Sequence, residues 1–582
     1  MKYESIVEGR FESRPNRFIA YVNMNGTREK VHVKNTGRCR ELLTDGAEVF
    51  LSESSNPERS TRYDLVTVRK GERLVNMDSQ APNKAVEEWL LKKEFFPDIT
   101  CVRPETTYGN SRLDFYIETK RDKIFMEVKG VTLEQDNMVL FPDAPSERAV
   151  KHVYELIEAV KDGYQAYIMF VVQMKNVSLF IPNRDTQPEF ADALLAAREA
   201  GVKIIAYDCL VTQDSMVIDA PVPVALSPLD RIAEPLLSWY DRGRRILPWR
   251  EEPTPYHVWV SEIMLQQTRV EAVRPYYDRF MKSLPGIETL SKAPEEVLLK
   301  LWEGLGYYNR VRNLNKAAVK VMEEYGGIMP DSYEELLTLP GIGSYTAGAI
   351  ASIAYGKPVP AVDGNVLRVL SRLRCDDRDI MQQTVKKQVE EELLTVMPKD
   401  RPGDFNQALM ELGAMVCIPN GEPRCRECPW EDICMAHKQG TELQFPVKTR
   451  KKPRTIEKKT ILIIRDENKA ALRKRPDKGL LAGMYEFPNM EGHLSEKEVL
   501  KWLKERGLSV LRIEPLTESK HIFTHKEWHM IGYSVRVDEL DRGEDLTDFI
   551  FVDQREAKEK YPIPSAYSAY LKAFYEKSGF SL

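Results

Sequence analysis

The chain has 582 residues, a formal net charge of −5 and 42% hydrophobic residues. This length predicts several domains of about 100–200 residues, and the apolar content suffices for several cores. No apolar run reaches about 18 residues, and the N-terminus lacks the apolar region of a signal peptide, so we expect no membrane partner and a cytoplasmic protein. Because the net charge is slightly negative, contact with nucleic acid requires local basic patches.

Residues 1–82 alternate short β-like runs with turns, which predicts a small, strongly curved β-barrel. Arg38 and Arg40 lie at a glycine turn, where they are candidates for contact with nucleic acid. Basic turns are commonly just solvated, so both interpretations stay open.

A helix predicted over residues 83–94 precedes two strands, predicted over 111–117 and 124–130. In the second strand Glu127 and Lys129 are two residues apart, so their side chains share one face. With Asp114 on the neighbouring strand, they form a candidate site for a divalent cation that positions an attacking water. The alternative is an edge strand with a surface salt bridge.

Four stretches resemble the sugar fermentation stimulation protein (SfsA) family: residues 35–37, 111–115, 127–133 and 141–148. The resemblance covers about residues 1–225 and implies an OB-like barrel (1–82) and a P-D-(D/E)-x-K nuclease-like α/β domain (83–225) that binds DNA. The residues matching the metal-binding layout of that fold are Glu88, Asp114, Glu127 and Lys129. Mg²⁺ or Mn²⁺ is the implied cofactor, and a DNA-binding regulator that cuts nothing is the alternative.

A proline-rich boundary near residues 220–228 leads into a stretch, 226–442, that is predicted to be nearly all helical. Within it, Glu262 has the apolar helical neighbours Val258, Trp259 and Leu265. Burial disfavours the ionised carboxylate and therefore favours the protonated form, which is the form a general acid needs. The alternative role for Glu262 is a structural salt bridge.

A helix-hairpin-helix is predicted around residues 332–350. Ser332 is the expected N-cap of the first helix, Gly341 ends that helix after Pro340, and Gly343 allows the second helix to begin at once. The second N-terminus would present free N–H groups to a phosphate. An ordinary helix turn is the alternative interpretation of this segment alone.

Residues 229–582 closely resemble the adenine DNA glycosylase (MutY) family. The matching stretches are residues 247–250, 261–268, 304–308, 339–350 and 362–365. The resemblance implies a double-stranded DNA partner and excision of adenine opposite 8-oxoguanine or guanine. Glu262 would protonate the adenine, and Asp363 would stabilise the oxocarbenium-like sugar. Residues implied to contact DNA or hold the site are Gln267, Tyr307, Gly341, Gly343 and Asn365.

Tyr345 distinguishes this chain from related lyases. Endonuclease III-like enzymes carry a lysine at this position, and its amine attacks the sugar. A phenol cannot form a Schiff base, so we predict a monofunctional glycosylase that leaves an abasic site. A packed aromatic side chain at a helix start is the alternative role.

Four of the eight cysteines cluster near the end of the helical stretch: Cys417, Cys425, Cys428 and Cys434. Seven, two and five residues separate them, and in a chain of this kind such a cluster favours a metal site over disulfides. Spacing alone suits zinc or a 4Fe-4S cluster, and the glycosylase resemblance implies 4Fe-4S. That family usually has six residues in the first gap, so one extra residue lengthens this loop.

Residues 443–459 form a basic linker, for which contact with DNA and simple solvation are equal alternatives. Residues 460–582 resemble the Nudix-like domain of adenine glycosylases but lack the acids that bind catalytic magnesium, so no pyrophosphohydrolase activity is expected. The loop Phe523-Thr524-His525 matches the family's F-S-H element, which reads 8-oxoguanine. A packed β-edge cluster is the alternative, and the whole chain is expected to be a multidomain α+β protein.

Overall fold

The computed structural model describes residues 1–35, 37–54, 56, 58–449, 453–466, 469–538, 540 and 548–575. The chain forms two compact units, Met1–Arg231 and Ile232–Leu582. The first unit extends past the boundary predicted at residue 225, because Asp230 accepts hydrogen bonds from Leu226 N at 2.9 Å and pairs with Arg198 at 3.0 Å. Among the described residues, no helix combines the length and the apolar character needed to cross a membrane.

The first unit begins with a barrel of short strands. They are β1 (Ile6–Ser13), β2 (Ile19–Met24), β3 (Thr27–Val33), β4 (Glu48–Glu53), β5 (Tyr63–Lys70) and β6 (Arg73–Asn76). Their order is β3-β2-β1-β4-β5-β6, and an additional β3–β5 pairing closes the sheet. Closure leaves few free edges, and apolar side chains such as Val22 and Leu51 fill the interior. The predicted OB-like barrel is confirmed.

An α/β domain completes the first unit. Its elements are α1 (Ala81–Leu91), β7 (Ile99–Tyr108), β8 (Ser111–Thr119), β9 (Lys123–Val131), β10 (Leu133–Gln135), β11 (Met138–Phe141), α2 (Glu147–Lys161), β12 (Gln165–Val172), β13 (Leu179–Pro182), α3 (Pro188–Glu199), β14 (Lys203–Val211) and β15 (Met216–Val222). The main sheet has the order β15-β14-β12-β9-β8-β7, with β9, β12 and β14 parallel. The carboxyl ends of β9 and β12 therefore meet at one edge of the sheet.

The second unit begins with a helical region. Its helices are α4 (Ala233–Gly243), α5 (Pro248–Glu251), α6 (Pro255–Leu265), α7 (Val270–Ser283), α8 (Ile287–Ser291), α9 (Glu295–Leu301), α10 (Asn309–Glu324), α11 (Tyr333–Leu337), α12 (Ser344–Ala349), α13 (Gly364–Arg374), α14 (Gln383–Val396), α15 (Pro402–Met415) and α16 (Met435–Gln439). Helices α11 and α12 form the predicted hairpin, and a π-helical turn, Ile350–Ala354, follows α12. A core that includes Trp259 and Trp302 holds this region together.

The rest of the second unit is a smaller α/β domain. Its elements are β16 (Thr455–Arg465), β17 (Lys469–Lys474), β18 (Tyr485–Glu486), β19 (Asn489–Glu491), α17 (Glu496–Lys504), β20 (Val510–Ile522), β21 (Lys526–Val537), β22 (Phe549–Asp553), α18 (Gln554–Glu559) and α19 (Ser568–Tyr575). Strand β16 starts inside the predicted linker because Thr455 already pairs with Lys526 of β21. The linker's basic residues 450–452 lie outside the described residues. Arg312 of α10 donates to Ala482 O at 2.5 Å and ties this domain to the helical region.

Candidate functional site

Glu262 lies near the end of α6, a helix that begins at Pro255 after the N-cap Thr254. Its side chain is almost wholly buried, with the residue 6% exposed, and its carboxylate accepts a hydrogen bond from the Tyr345 hydroxyl. Burial raises the pKa of Glu262 to about 7, nearby Asp363 adds to the rise, and the hydrogen bond from Tyr345 opposes it. A substantial fraction of Glu262 is therefore protonated at neutral pH, as a general acid requires.

Asp363 occupies the N-cap of α13. Its Oδ1 accepts from the backbone N of Asn365 and of Val366, both at 2.8 Å, and its Oδ2 accepts from Asn365 Nδ2 at 2.7 Å. Burial raises the pKa of Asp363, while these three N–H groups and the helix N-terminus favour its ionised form. Burial thus raises the pKa of both carboxyl groups, but the hydrogen bonds that oppose this rise come from one phenol at Glu262 and from three N–H groups at Asp363.

Tyr345, in the first turn of α12, connects the hairpin to the buried acid. Its hydroxyl donates to Glu262 and lies 3.5 Å from Met410 Sδ. Burial and the charge of Glu262 raise the pKa of Tyr345 well above its usual value, so this side chain stays a neutral phenol. It packs and hydrogen-bonds at once, which unites both roles considered from the sequence.

A buried carboxylate on α15, Glu411, escaped prediction from the sequence. Its side chain has no exposure; Oε1 accepts from Arg245 Nε at 3.0 Å, and Oε2 lies 2.6 Å from Arg250 Nη2. Two guanidinium groups thus balance one desolvated charge. The positive charge of Arg250 also acts to lower the pKa of Glu262, so this ion-pair group belongs to the same site. The sequence feature that could have identified Glu411 as a buried acid is its position as the one charged residue in the apolar run A-L-M-E-L-G-A.

Gln267 and Tyr307 share an unusual backbone conformation. Both are non-glycine residues with positive φ, +59° and +50°, and both side chains are exposed. Such backbone strain clusters at functional sites and persists only where the surroundings enforce it. Here a single guanidinium enforces it: Arg310 donates to the carbonyls of Gln266 at 2.7 Å and Gly306 at 3.2 Å. Arg310 was not identified from the sequence.

The hairpin turn requires a glycine at position 341. Gly341 has φ +80°, and a Cβ there would lie 2.7 Å from Asn313 Cβ. Gly343, which is exposed, is the N-cap of α12 with extended backbone. Ser332 accepts from Glu335 N at 3.4 Å and caps α11 as the sequence indicated.

The loop at residues 523–525 lies beside this region. The Tyr307 hydroxyl is 3.2 Å from Thr524 Oγ1, so the loop reaches one of the two strained positions. Phe523 packs edge-to-face on the buried Trp528, with ring centroids 4.8 Å apart, whereas Thr524 and His525 are exposed. Packing therefore accounts for Phe523, and two exposed polar side chains remain available to a ligand.

Cys417, Cys425, Cys428 and Cys434 line one small cavity together with Arg372 of α13. All four are free thiols, and Arg372 Nη1 lies 3.3 Å from Cys417 Sγ. Four thiols that line one cavity beside the positive charge of Arg372 fit an anionic metal–thiolate cluster. The ligand atoms of Cys425, His437 and Glu442 also lie within 4.8 Å of one another, so a single metal cation is the alternative occupant of this site.

In the first unit, the structure brings Asp114, Glu127 and Lys129 together. Glu127 is 2% exposed; its Oε1 accepts from Lys129 Nζ at 2.6 Å and pairs with His152 of α2, while its Oε2 has no partner among the described residues. Asp114 accepts from Asn83 Nδ2 at 2.9 Å, and burial together with Glu127 raises the pKa of Asp114. An orphaned buried carboxylate oxygen beside a second acid suits a divalent cation.

The prediction that Glu88 joins these acids is wrong. Its carboxylate lies 2.7 Å from the Met1 amino group, and its side chain is 58% exposed. Successive helix positions are about 100° apart, so α1 turns Asn83 toward Asp114 and Glu88 away from it. Asn83 contacts Asp114 and His152 contacts Glu127, and the sequence motif predicted neither residue.

Four family descriptions match the chain. They are the SfsA N-terminal OB domain (13–77), the sugar fermentation stimulation protein RE domain (80–215), the HhH-GPD superfamily base excision DNA repair protein (260–399) and the NUDIX domain (460–573). The helical hairpin with its buried acid pair therefore belongs to a base-excision-repair DNA glycosylase domain. Through its N-terminal part, the chain belongs to the sugar fermentation stimulation protein family.

Similar proteins were found for both units. The sugar fermentation stimulation protein homolog of Clostridium beijerinckii is 56% identical over 226 residues, which are 39% of this chain and 100% of that protein. The structure of Pyrococcus furiosus SfsA in complex with Ca²⁺ is 29% identical, covering 39% of this chain and 98% of that one, with a TM-score of 0.36. A non-covalent Endonuclease III–DNA complex is 25% identical, covering 36% and 97%, with a TM-score of 0.32.

Proposed function

We propose that the second unit binds double-stranded DNA and removes adenine paired with 8-oxoguanine or guanine by hydrolysing the N-glycosidic bond. The observation that carries the proposal is the buried Glu262, whose pKa is raised to about 7 beside Asp363. Glu262 donates a proton to the extruded adenine, which makes the base a better leaving group. Ionised Asp363 then stabilises the positive charge that develops on the sugar. Water completes the hydrolysis.

The surroundings of this acid pair support recognition of a base pair. Exposed Gln267 and Tyr307, held in strained conformations by Arg310, are suited to enter the stack where the base leaves it. Thr524 touches Tyr307 and offers its hydroxyl to 8-oxoguanine on the opposite strand. The extra methyl group of threonine, relative to serine, leaves this hydroxyl in place.

Duplexes with one defined mispair test this function. The full-length protein is incubated with adenine opposite 8-oxoguanine, adenine opposite guanine, and thymine opposite guanine, and abasic sites are revealed with alkali. We expect cleavage at adenine only, without a requirement for magnesium. Release of thymine but not adenine would contradict the assigned substrate, although the protein would still be a DNA glycosylase.

We predict that the glycosylase unit has no lyase activity, because the phenol of Tyr345 cannot form a Schiff base. Product strands should remain intact until alkali or a separate lyase is added. Borohydride trapping with the full-length protein checks this, with an Endonuclease III-type enzyme as the positive control. A borohydride-trapped covalent complex that persists in Lys129→Met would contradict the prediction, since Lys129 is the lysine of the first unit's candidate site.

We further propose that the four clustered cysteines hold a 4Fe-4S cluster. Cys417, Cys425, Cys428 and Cys434 would be its ligands, and bound iron would supply structural cross-linking rather than redox chemistry. Arg368 of α13 donates to Cys417 O at 2.9 Å and to Asn365 Oδ1 at 2.9 Å. The cysteine loop is thereby linked to the N-cap that carries Asp363, so the order of this loop affects the active site.

Metal analysis checks this assignment. The purified protein is expected to contain about four iron atoms per chain and to absorb broadly near ~400 nm, as Fe–S proteins do. Cys428→Ser should lower iron content and DNA binding together, whereas Cys101→Ser, outside the cavity, should change neither. One zinc per chain without iron would support the site of Cys425, His437 and Glu442 instead.

For the first unit we propose a divalent-metal site of the nuclease type. The observation that favours it is the partnerless, buried Glu127 Oε2 beside Asp114. Glu127 and Asp114 would hold Mg²⁺ or Mn²⁺, and Lys129 would stabilise charge on a phosphate. A DNA-binding role without cleavage remains the second candidate, supported by the exposed Arg38 and Arg40.

Calorimetry with Mn²⁺ tests the metal site. Full-length protein should bind Mn²⁺ at a site that Asp114→Ala abolishes, because the remaining carboxylate would be a single ligand. Glu88→Ala is the matched control: it removes an acid that lies outside the site and should leave binding unchanged. Equal Mn²⁺ binding by wild type and Asp114→Ala would remove the metal role from this unit.

A further inference from the structure

A polar cavity of about 170 Å³ lies in the first unit where the parallel strands β9 and β12 end. In open α/β sheets this carboxyl edge is where ligands bind. Its polar lining consists of Asn35, Ser79, Thr132, Asp143 and Gln173. Two of the sequence stretches that the metal site does not use contribute to it, the first through Asn35 and Gly37 and the second through Phe141 and Asp143.

Glycines allow the walls of this cavity to approach one another. A Cβ on Gly130 would lie 2.5 Å from Gln173 Oε1, and a Cβ on Gly37 would lie 2.0 Å from Asp143 Oδ2. Neither glycine has a positive φ, so backbone conformation does not explain them. Glycine at these positions lets the Gln173 and Asp143 side chains lie directly against the backbone, where any Cβ would displace them.

Unused hydrogen-bonding capacity faces this space. Gln173 is 2% exposed; its Nε2 donates to Asn76 O at 3.0 Å and Asp78 O at 3.1 Å, which leaves its Oε1 without a donor in the described part of the chain. Thr132 is 7% exposed, and no described residue hydrogen-bonds its hydroxyl. Both residues line the cavity, and neither atom is fully buried, so both can accept or donate a hydrogen bond to a ligand there.

The barrel loop that forms one wall is fixed in place. Arg14 donates to Asn35 O at 2.6 Å, Gly37 O at 2.8 Å and Arg38 O at 2.8 Å. Preorganisation of this kind reduces the entropy lost when a ligand binds. The apolar part of the lining consists of Leu133, Leu140 and Phe141.

We propose that this cavity binds one unstacked nucleobase of a nucleic-acid strand, with preference for a base that carries an exocyclic amino group, guanine above all. Its volume is well below the roughly 300–1,000 Å³ of sites for drug-sized ligands, which suits a single base. A lining that combines the apolar Leu133, Leu140 and Phe141 with several polar groups suits the apolar face and the polar edge of a base. Gln173 Oε1 and the Asp143 carboxylate accept hydrogen bonds, and guanine presents neighbouring N–H donors, whereas thymine presents one.

The cavity and the candidate metal site use consecutive residues of β9. Gly130 in the cavity wall directly follows Lys129, so their Cα atoms are about 3.8 Å apart, but successive side chains of a strand face opposite sides. The inference rests on the first unit acting on nucleic acid, but base binding itself needs neither metal nor cleavage.

Titration of the full-length protein with nucleoside monophosphates tests the inference. Without added metal, dGMP should bind more tightly than dTMP, by about tenfold for the lost hydrogen bonds. Thr132→Val and Asp143→Asn should each weaken dGMP binding about fivefold to tenfold with unchanged melting temperature. Asp122→Asn, at the other end of β9, is the control and should bind like wild type.

The outcomes separate this site from the others. Loss of Mn²⁺ binding in Asp114→Ala with dGMP binding retained would support a base site independent of the metal. Equal binding of dGMP by wild type, Thr132→Val and Asp143→Asn would overturn the inference, because the nucleotide would then sit elsewhere. Equal affinity for dGMP and dTMP would overturn the base preference, and no binding of either would overturn the site. Gly130→Ala gives a second check, since its Cβ should displace Gln173 Oε1 and weaken dGMP binding, whereas equal dGMP binding by this variant would exclude Gln173 from the site.

Discussion

Glu262→Gln is expected to lose adenine excision by about 10²–10⁴-fold, the range typical of general acid catalysis, while keeping specific duplex binding. The amide has the same shape but no proton to donate to the base. Single-turnover excision from adenine opposite 8-oxoguanine measures the loss, and a gel-shift titration measures binding. Glu251→Gln on α5 is the control, because that acid is exposed.

The same residue predicts a pH dependence. Since the pKa of Glu262 is raised to about 7, its acid form is present below that value and is lost as pH rises through it. The wild-type single-turnover rate should therefore fall above about pH 7, by tenfold per unit in the limit. Stability has the same sign: between pH 4.5 and 7 the folded state binds more protons than the unfolded state, so the free energy of unfolding falls as pH rises. Glu262→Gln should be more stable than wild type at pH 8, and near-normal excision by this variant would remove Glu262 from the mechanism.

Local patterns made the fold of both units predictable. Alternating strands indicated the barrel, and the two-residue spacing of Glu127 and Lys129 correctly placed both side chains on one face. The apolar neighbours of Glu262 indicated its burial, and the L-P-G-I-G turn indicated the hairpin. In each case the information lies within one element, where periodicity decides the outcome.

Long-range pairing was the part that the sequence did not supply. Glu411 meets Arg245 across 166 positions, and Arg310 reaches carbonyls more than 40 positions away, so no spacing rule detects either. Glu88 was predicted at the metal site although it does not lie there. It matched the motif by its order along the chain, but the rotation of α1 turns Asn83, and not Glu88, toward Asp114. Contacts between charged groups that hold a site together can therefore be identified only in the folded structure, where distant elements pack against each other.

Asp363→Asn is the second substitution for which we expect a large effect. Asparagine is as good an N-cap as aspartate, so α13 should keep its start, although the bond that Asp363 Oδ2 accepts from Asn365 Nδ2 is lost. The variant lacks the negative charge that stabilises the developing sugar cation in a dry site. Removal of one such preorganised electrostatic group costs about 10²–10³-fold in rate.

A matched control separates charge from capping. Asp553 is also an N-cap, of α18, and its side chain accepts from Glu556 N at 2.7 Å. Asp553→Asn makes the same chemical change at a helix start in the C-terminal domain and should leave single-turnover excision unchanged. If Asp363→Asn instead excises adenine at the wild-type rate with an unchanged melting temperature, Asp363 acts only as a cap. Another group would then have to stabilise the sugar cation. Glu262 is the candidate, because it becomes a carboxylate once it has given its proton to the departing base.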